Sequence, residues 1–341
     1  MKKIFLVAVS TVLFSCSKDD SATETNTGKS VYAVGQEYNG TNNVAKIWKN
    51  GVATNLTDGS QDAMARSVYV SGNDVYVAGY EENGTNDVAK LWKNGVATAL
   101  TDGNHRAYAT AVFVSGNDVY VTGYEYNSNN MGVVKLWKNG VVTDLTDGTL
   151  SASAYSVFVS GNDVFVSGRE SNGTKNIAKI WKNGVATSLT DGSQHAEANS
   201  VFISGNDVYV SGHVSNGGPY VAKFWKNGEV TAFTDGIYQA GANSICVSEN
   251  DVYVAGYEYN GTKSVAKVWK NGVATDLTDG NQYAYANSIY VSGNDVYVSG
   301  TEYNGVGGED GFSVAKLWKN GVATNLTNGT TDAHVSAVFV K

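Results

Sequence analysis

Arginine occurs three times in this chain, at Arg66, Arg106 and Arg169, and histidine four times, at His105, His195, His213 and His334. An imidazole or a tyrosine phenolate can remove the proton beside a uronate carboxyl while a guanidinium neutralises that carboxylate, which is polysaccharide lyase chemistry. His195 or His213, with a tyrosine and Arg169, would be the set for it. Without proton transfer, the same side chains hold polar ligands by hydrogen bonds. No Ser-His-Asp order and no paired-carboxylate motif accompanies them, so no catalytic residue is assigned. A zinc site would need ligands converging from separate parts of the chain, and no D-x-[DN]-x-[DN]-G calcium loop is present. Neither a metal nor a cofactor is expected.

What positions these residues is a repeat. Tryptophan recurs at 48, 92, 137, 181, 225, 269 and 318, always in the run [VI]-[AV]-K-x-W-K-N-G. Each unit of about 44 residues resolves into four strand-like runs. In one copy SVYVSG (67–72) meets DVYVAGYE (74–81) across Ser71-Gly72-Asn73-Asp74, where Gly and Asn tolerate positive φ. DVAKLWK (87–93) then meets VATALTD (96–102) across Asn94-Gly95, the strongest short hairpin signal. The first unit, from VYAVGQEY (31–38), lacks the leading strand, and the chain ends in that strand, HVSAVFVK (334–341). Pairing the two ends removes an open sheet edge.

The chain therefore resembles a seven-bladed β-propeller over residues 31–341, all-β, with four antiparallel strands per blade and the ring closed by the C-terminal strand. It lacks the Gly-His and Trp-Asp marks of WD40 blades and the kelch and sialidase signatures. Recurrent residues are read as framework. The tryptophans fill the wedges between blades. Asp74, Asp118, Asp163, Asp207, Asp251 and Asp295, and Asp58, Asp102, Asp147, Asp191, Asp235 and Asp279, cap turns through nearby backbone N–H groups. Cys246, in a slot held elsewhere by Phe or Tyr, is a buried inert thiol.

Two places in the unit vary. One is the connection between units: SQDAMAR (60–66), NHRAYAT (104–110), TLSASAY (149–155), SQHAEAN (193–199), IYQAGAN (237–243), NQYAYAN (281–287) and TTDAHVS (330–336). The other follows the glycine of the second strand: Gln36, Tyr80, Tyr124, Arg169, His213, Tyr257 and Thr301. In a propeller both lie on one face, around the mouth of the channel, and every arginine and histidine falls in them. The rest of the variation is mostly Tyr, Asn, Gln, Ser, Asp and Glu, a composition typical of binding loops. Arg66, Tyr108, Tyr124, Tyr155, Arg169, Glu197, Asn199, His213, Asn243, Tyr285, Asn287 and His334 are the expected contacts to a polar glycan or a protein. A lyase and a protein-docking scaffold remain alternatives on the same face. The insertion NGVGGEDGF (304–312) lengthens one loop there.

The N-terminus reads as an address. Lys2 and Lys3 precede an apolar run, Ile4 to Phe14, that is too short to span a bilayer. Leu13-Phe14-Ser15-Cys16 resembles a lipobox, which implies a signal peptide over 1–15, lipidation of Cys16 and a tether over 16–30. Ser17-Lys18-Asp19-Asp20 is similar to the acidic tag of surface-exported outer-membrane lipoproteins. A net charge of -8 opposes nucleic acid and anionic lipid surfaces, so membrane attachment is expected only through that lipid. A monomer is expected.

Overall fold

The computed structural model describes residues 28–215, 217–305 and 311–341. The signal segment 1–15, Cys16, most of the tether and the centre of the 304–312 insertion lie outside the described residues.

Blade 2 shows how the repeat folds. β4 (Ala63–Ser71), β5 (Asp74–Glu82), β6 (Asp87–Lys93) and β7 (Val96–Ala99) form an antiparallel meander in chain order. All four residues of β7 are exposed, and β4 abuts the first strands of the neighbouring blades, so β4 lies innermost and β7 outermost. Five more sheets repeat this order over 107–144, 152–188, 195–232, 240–276 and 284–325. The remaining sheet joins the chain ends: β1 (Val31–Tyr38), β2 (Asn43–Lys49) and β3 (Val52–Asn55) continue a C-terminal strand, Ala333–Val340, antiparallel to β1. Tyr32 faces Phe339 and Val31 faces Val340 in that pairing, and Ser30 and Lys341 exchange backbone hydrogen bonds of 2.7 and 2.9 Å beyond it. The fold is thus an all-β ring of seven four-stranded blades.

Strand alternation places small and apolar residues between blades. All seven tryptophans are 0–1% exposed, and Trp92 packs with Tyr32, Val34 and Ala45 of the preceding blade. In each Lys-Asn-Gly turn both central residues are left-handed, as at Asn94 (φ 53) and Gly95 (φ 83), which matches the twist of the flanking strands. The Ser-Gly-Asn-Asp turns differ from expectation, because only the glycine is left-handed (φ 55 at Gly72). Glu249 holds that conformation in blade 6 (φ 55), at a cost of roughly 1–2 kcal/mol for a residue with a Cβ.

The aspartates divide into two structural roles. Those of Thr-Asp-Gly cap their turns as expected: Asp58 Oδ1 accepts the Ser60 N–H at 2.9 Å. Those of the Ser-Gly-Asn-Asp turns do not bond their own backbone. Asp74 instead accepts from Asn94 Nδ2 and Lys93 Nζ, both at 2.8 Å, while Asn94 Oδ1 accepts the Val75 N–H at 2.8 Å. The two turns at the lower end of each blade lie side by side, so a carboxylate reaches the neighbouring turn more readily than its own N–H groups.

Tyr69, Phe113, Phe158 and Phe202 follow one another along successive inner strands with centroids 4.8–4.9 Å apart, and Tyr290, Phe339 and Tyr69 close the circle from the other side at 4.9 Å. Cys246 occupies the seventh place, buried, with its thiol pushed up to about 11 by desolvation. This belt narrows the channel below the mouth.

Candidate binding site at the mouth of the ring

The connections between blades are shorter than the sequence suggests. Residues 63–66, read as loop, belong to β4, because Ala63 and Ala65 are fully buried and pair with Glu81 and Gly79. The register then shifts: Ala65 faces Gly79 and Ser67 faces Ala78, leaving Arg66 as the extra residue of a β-bulge. A bulge re-aims a side chain at the rim of a closed sheet. The same shift sets Thr110, Tyr155, Asn199, Asn243 and Asn287 in this position. Every one of the twelve expected contact residues is half-buried, whereas the outer loop residues His105 and Arg106 are exposed.

Register explains why the two variable places coincide. Met64 faces Tyr80, Tyr108 faces Tyr124, Ser153 faces Arg169, Glu197 faces His213, Tyr285 faces Thr301 and His334 faces Gln36. Positions 16 residues apart in sequence, or from opposite ends of the chain for His334 and Gln36, are direct neighbours across two strands.

These pairs join into an arc over blades 2 to 5. The Arg66 guanidinium lies 5.2 Å from the ring centroids of both Tyr80 and Tyr108, which meet edge to face at 5.0 Å. Tyr108 packs on Tyr124 at 5.2 Å and donates its hydroxyl to Asp87 at 2.5 Å. Burial, followed by the Asp87 carboxylate, holds the Tyr108 phenol well above its ordinary value. Farther round, Arg169 pairs with Glu197 across the blade 4–5 boundary. Burial and then the Glu197 charge raise the Tyr155 phenol, so it stays protonated. Burial lowers His213, with Glu197 pulling it back up and Arg169 pushing it further down. His213 also packs against Tyr220 at 4.4 Å.

On the other side of the mouth, Gln36, Tyr38, Asn43, Tyr303, Asp332 and His334 line an open pocket of about 660 Å³ where blade 7 meets blade 1. His334 lies 3.4 Å from Thr301 Oγ1 and 3.3 Å from Ser313 Oγ, and burial lowers its imidazole while Asp332 raises it. Only His334 of this group was among the expected contacts. The slot of Tyr38 and Tyr303 holds Glu82, Tyr126, Ser171 and Tyr259 in other units and that of Asn43 holds Asp87, Gly132, Asn176, Ser264 and Ser313, so both vary, but they lie outside the two variable places named from the sequence.

Several expected contacts have structural work. Asn199, Asn243 and Asn287 donate to the Ala242, Ala286 and Val335 carbonyls of the next blade at 3.1, 2.9 and 2.7 Å. Part of the variation in the connections is likewise interchange of acceptors: Asp62, Ser151, His195 and Asp332 each take the backbone N–H that opens the third strand of the preceding blade. Recurrent asparagines of those loops tie down the same connections, as Asn39 does to the Gly59 carbonyl at 3.1 Å. Arg106 turns outward onto Tyr126, 4.8 Å away. Among the described residues no three His, Cys, Asp or Glu side chains gather as metal ligands.

Two lowered imidazoles give the fold a defined pH response. A histidine whose folded pKa lies below the ordinary 6.5 binds its proton preferentially in the unfolded chain, so its contribution is present above 6.5 and is lost as pH falls through the folded value. The exposed turn aspartates, lowered from 3.8, act only at more acid pH. Denaturant midpoints measured near about pH 7.5 and about pH 5.5 should therefore drop for the parent and change less for a His213→Gln/His334→Gln double variant.

No family model matches the chain, and no curated protein matches it. Solved structures do. An acylaminoacyl peptidase of Pyrococcus horikoshii superposes with a TM-score of 0.55 at 12% identity, over 88% of this chain and 50% of that one. The β-propeller domain of the trilobed protease of Pyrococcus furiosus, described as having an open velcro topology, gives 0.55 at 10% identity, over 89% and 95%. An acylaminoacyl peptidase bound to Z-Gly-Gly-Phe-chloromethyl ketone gives 0.55 at 11%, over 89% and 51%. The chain spans about half the length of the two peptidases. At such identity the likeness is one of fold, and what is shared is the propeller of proteins that carry it as one module.

Proposed function

We propose that the chain is a non-catalytic binding module that takes a polar glycan at the mouth of the ring. The observation that carries this reading is the blade 7–1 pocket, where the rings of Tyr38 and Tyr303 stand with the amides of Gln36 and Asn43, the Asp332 carboxylate and the His334 imidazole. Aromatic faces with a few convergent polar groups suit the alternating C–H faces and hydroxyls of a sugar. The arc over blades 2 to 5 extends the same chemistry around the rim. A lyase would need Arg169 free to meet a substrate carboxylate, and Glu197 already holds it. A Tyr155 phenol kept protonated is also poorly suited to act as the base.

A glycan-array screen with Arg66→Ala, Tyr108→Ala, Tyr285→Ala and His334→Ala tests the reading. At least one of these truncations should weaken binding about tenfold or more, as loss of a half-buried aromatic or charged contact does. Binding unchanged in all four would end it. We further propose display of the module on the outer membrane through acylated Cys16. Mass measurement of the mature protein should then find a lipid-bearing N-terminal cysteine, lost with Cys16→Ser.

A further inference from the structure

We infer that the ligand taken at the mouth is anionic, and that Arg66 is the residue that reads its charge. The inference rests on the binding role proposed above and deepens it.

Arg66 is set apart by what surrounds it. The lysines within the sheets are nearly all matched by carboxylates: Lys90 by Glu81 at 2.6 Å, Lys135 by Glu125 and Asp144 at 3.3 and 2.8 Å, Lys267 by Glu258 and Asp276 at 3.3 and 2.7 Å. Arg169 is matched by Glu197. Arg66 makes no ion pair with any described residue, although the chain carries a formal charge of -8. Carboxylates are near enough to act on its neighbour Tyr80, whose phenol is raised by burial, lowered by Arg66 and raised by Asp87 and Asp62. Both have other partners. Asp87 accepts the Tyr108 hydroxyl at 2.5 Å, and Asp62 accepts the Asn43 backbone and side-chain N–H groups at 2.8 and 3.0 Å.

The guanidinium is nevertheless fixed. It lies 5.2 Å from each of two tyrosine centroids, and it springs from a bulge that turns its side chain toward the mouth. Its Nε is buried without a hydrogen-bond partner. One guanidinium N–H is directed at the Tyr80 phenol, and no described carboxylate takes the remaining terminal N–H groups, the groups that receive a carboxylate or sulfate in a forked pair. A half-buried, uncompensated cation held by aromatic rings on a negative protein favours an anionic partner over a neutral one. The chemistry assigned is that of an acidic glycan, with Tyr80 and Tyr108 beside its ring and Arg66 on its carboxylate or sulfate.

The test uses matched pairs: an oligouronate and its methyl ester, and a sulfated oligosaccharide and its desulfated form, each titrated calorimetrically into the full mature chain. At least one acidic member should bind about tenfold or more tightly than its neutral partner. Raising the salt concentration should reduce that preference. Arg66→Ala should abolish the preference, and Arg66→Lys, which keeps the charge without the fork, should retain part of it. Near-ultraviolet circular dichroism of both variants checks that the mouth is intact. Equal binding of charged and neutral members overturns the anionic assignment and leaves the glycan module standing. A preference that survives Arg66→Ala overturns the role of Arg66. No binding of any of the four overturns the assignment together with the reading on which it rests.

Discussion

Replacing Gly212 with alanine should destabilise the protein by roughly 3 kcal/mol, the upper end of what overpacking costs. The effect comes from space and not from backbone dihedrals, since Gly212 is not left-handed. A Cβ there would fall inside the contact radius of the Glu197 carbonyl oxygen and within 3.1 Å of Trp225 Cζ3. Neither neighbour can yield: the carbonyl belongs to the inner strand beside the bulge, and the indole is locked between blades. Alanine also narrows the unfolded ensemble, but that gain of about 0.4–1 kcal/mol is too small to offset a backbone collision. The matched control is Gly205→Ala. Gly205 is left-handed (φ 60) with nothing within 4 Å of a built Cβ, so only the local conformational penalty applies, about 1–2 kcal/mol before the same entropic offset. Equal denaturation midpoints for the two variants would show that the close approach of strands at Gly212 is not what the glycine serves. The equivalent glycines 35, 79, 123, 168, 256 and 300 meet the same carbonyl in their own blades, so the constraint holds around the ring.

That constraint links framework to site. The glycine allows the second strand to press against the bulged inner strand, and the residue after it, Arg169 or His213 for example, is thereby set opposite a mouth residue. The framework keeps the glycine and the flanking alanines because they lie against backbone, and the residues between them are free to differ because they face the opening.

The architecture was legible in the sequence because it is written seven times. The tryptophan period, the Asn-Gly turns and the complementary chain ends each reflect a local requirement, and each matches the ring. The edge of the inner strand was not legible. Ala63 and Ala65 looked like loop because the bulge at Arg66 breaks the alternation that marks a strand. The mouth was legible as a region and less so residue by residue. Asn199, Asn243 and Asn287 vary among units yet bond the next blade, which sequence cannot reveal because the acceptor is a backbone carbonyl some 43 to 48 residues away. His195 stands where three other units place Asp62, Ser151 and Asp332, and all four accept the backbone N–H that opens a third strand. Conversely, Tyr38 and Tyr303 lie outside the two variable places and belong to the pocket only because blades 7 and 1 meet there.

Closure of the ring by the C-terminal strand carries the whole arrangement, since without it the pocket between blades 7 and 1 loses His334 and the mouth loses its circumference. That strand buries Val335, Val338 and Val340 and sets Phe339 into the aromatic belt between Tyr69 and Tyr290. At about 1.5–3 kcal/mol for each fully buried valine, these three contribute roughly 5–9 kcal/mol, comparable with the 5–15 kcal/mol that stabilises a typical domain. Removing it also bares β1 as a template for pairing with other chains. The direct measurement is thermal unfolding, with size-exclusion chromatography, of the chain lacking residues 334–341. The expected result is an aggregated or unfolded product with no cooperative transition near that of the parent; a soluble monomer that melts at the parent's temperature would contradict closure.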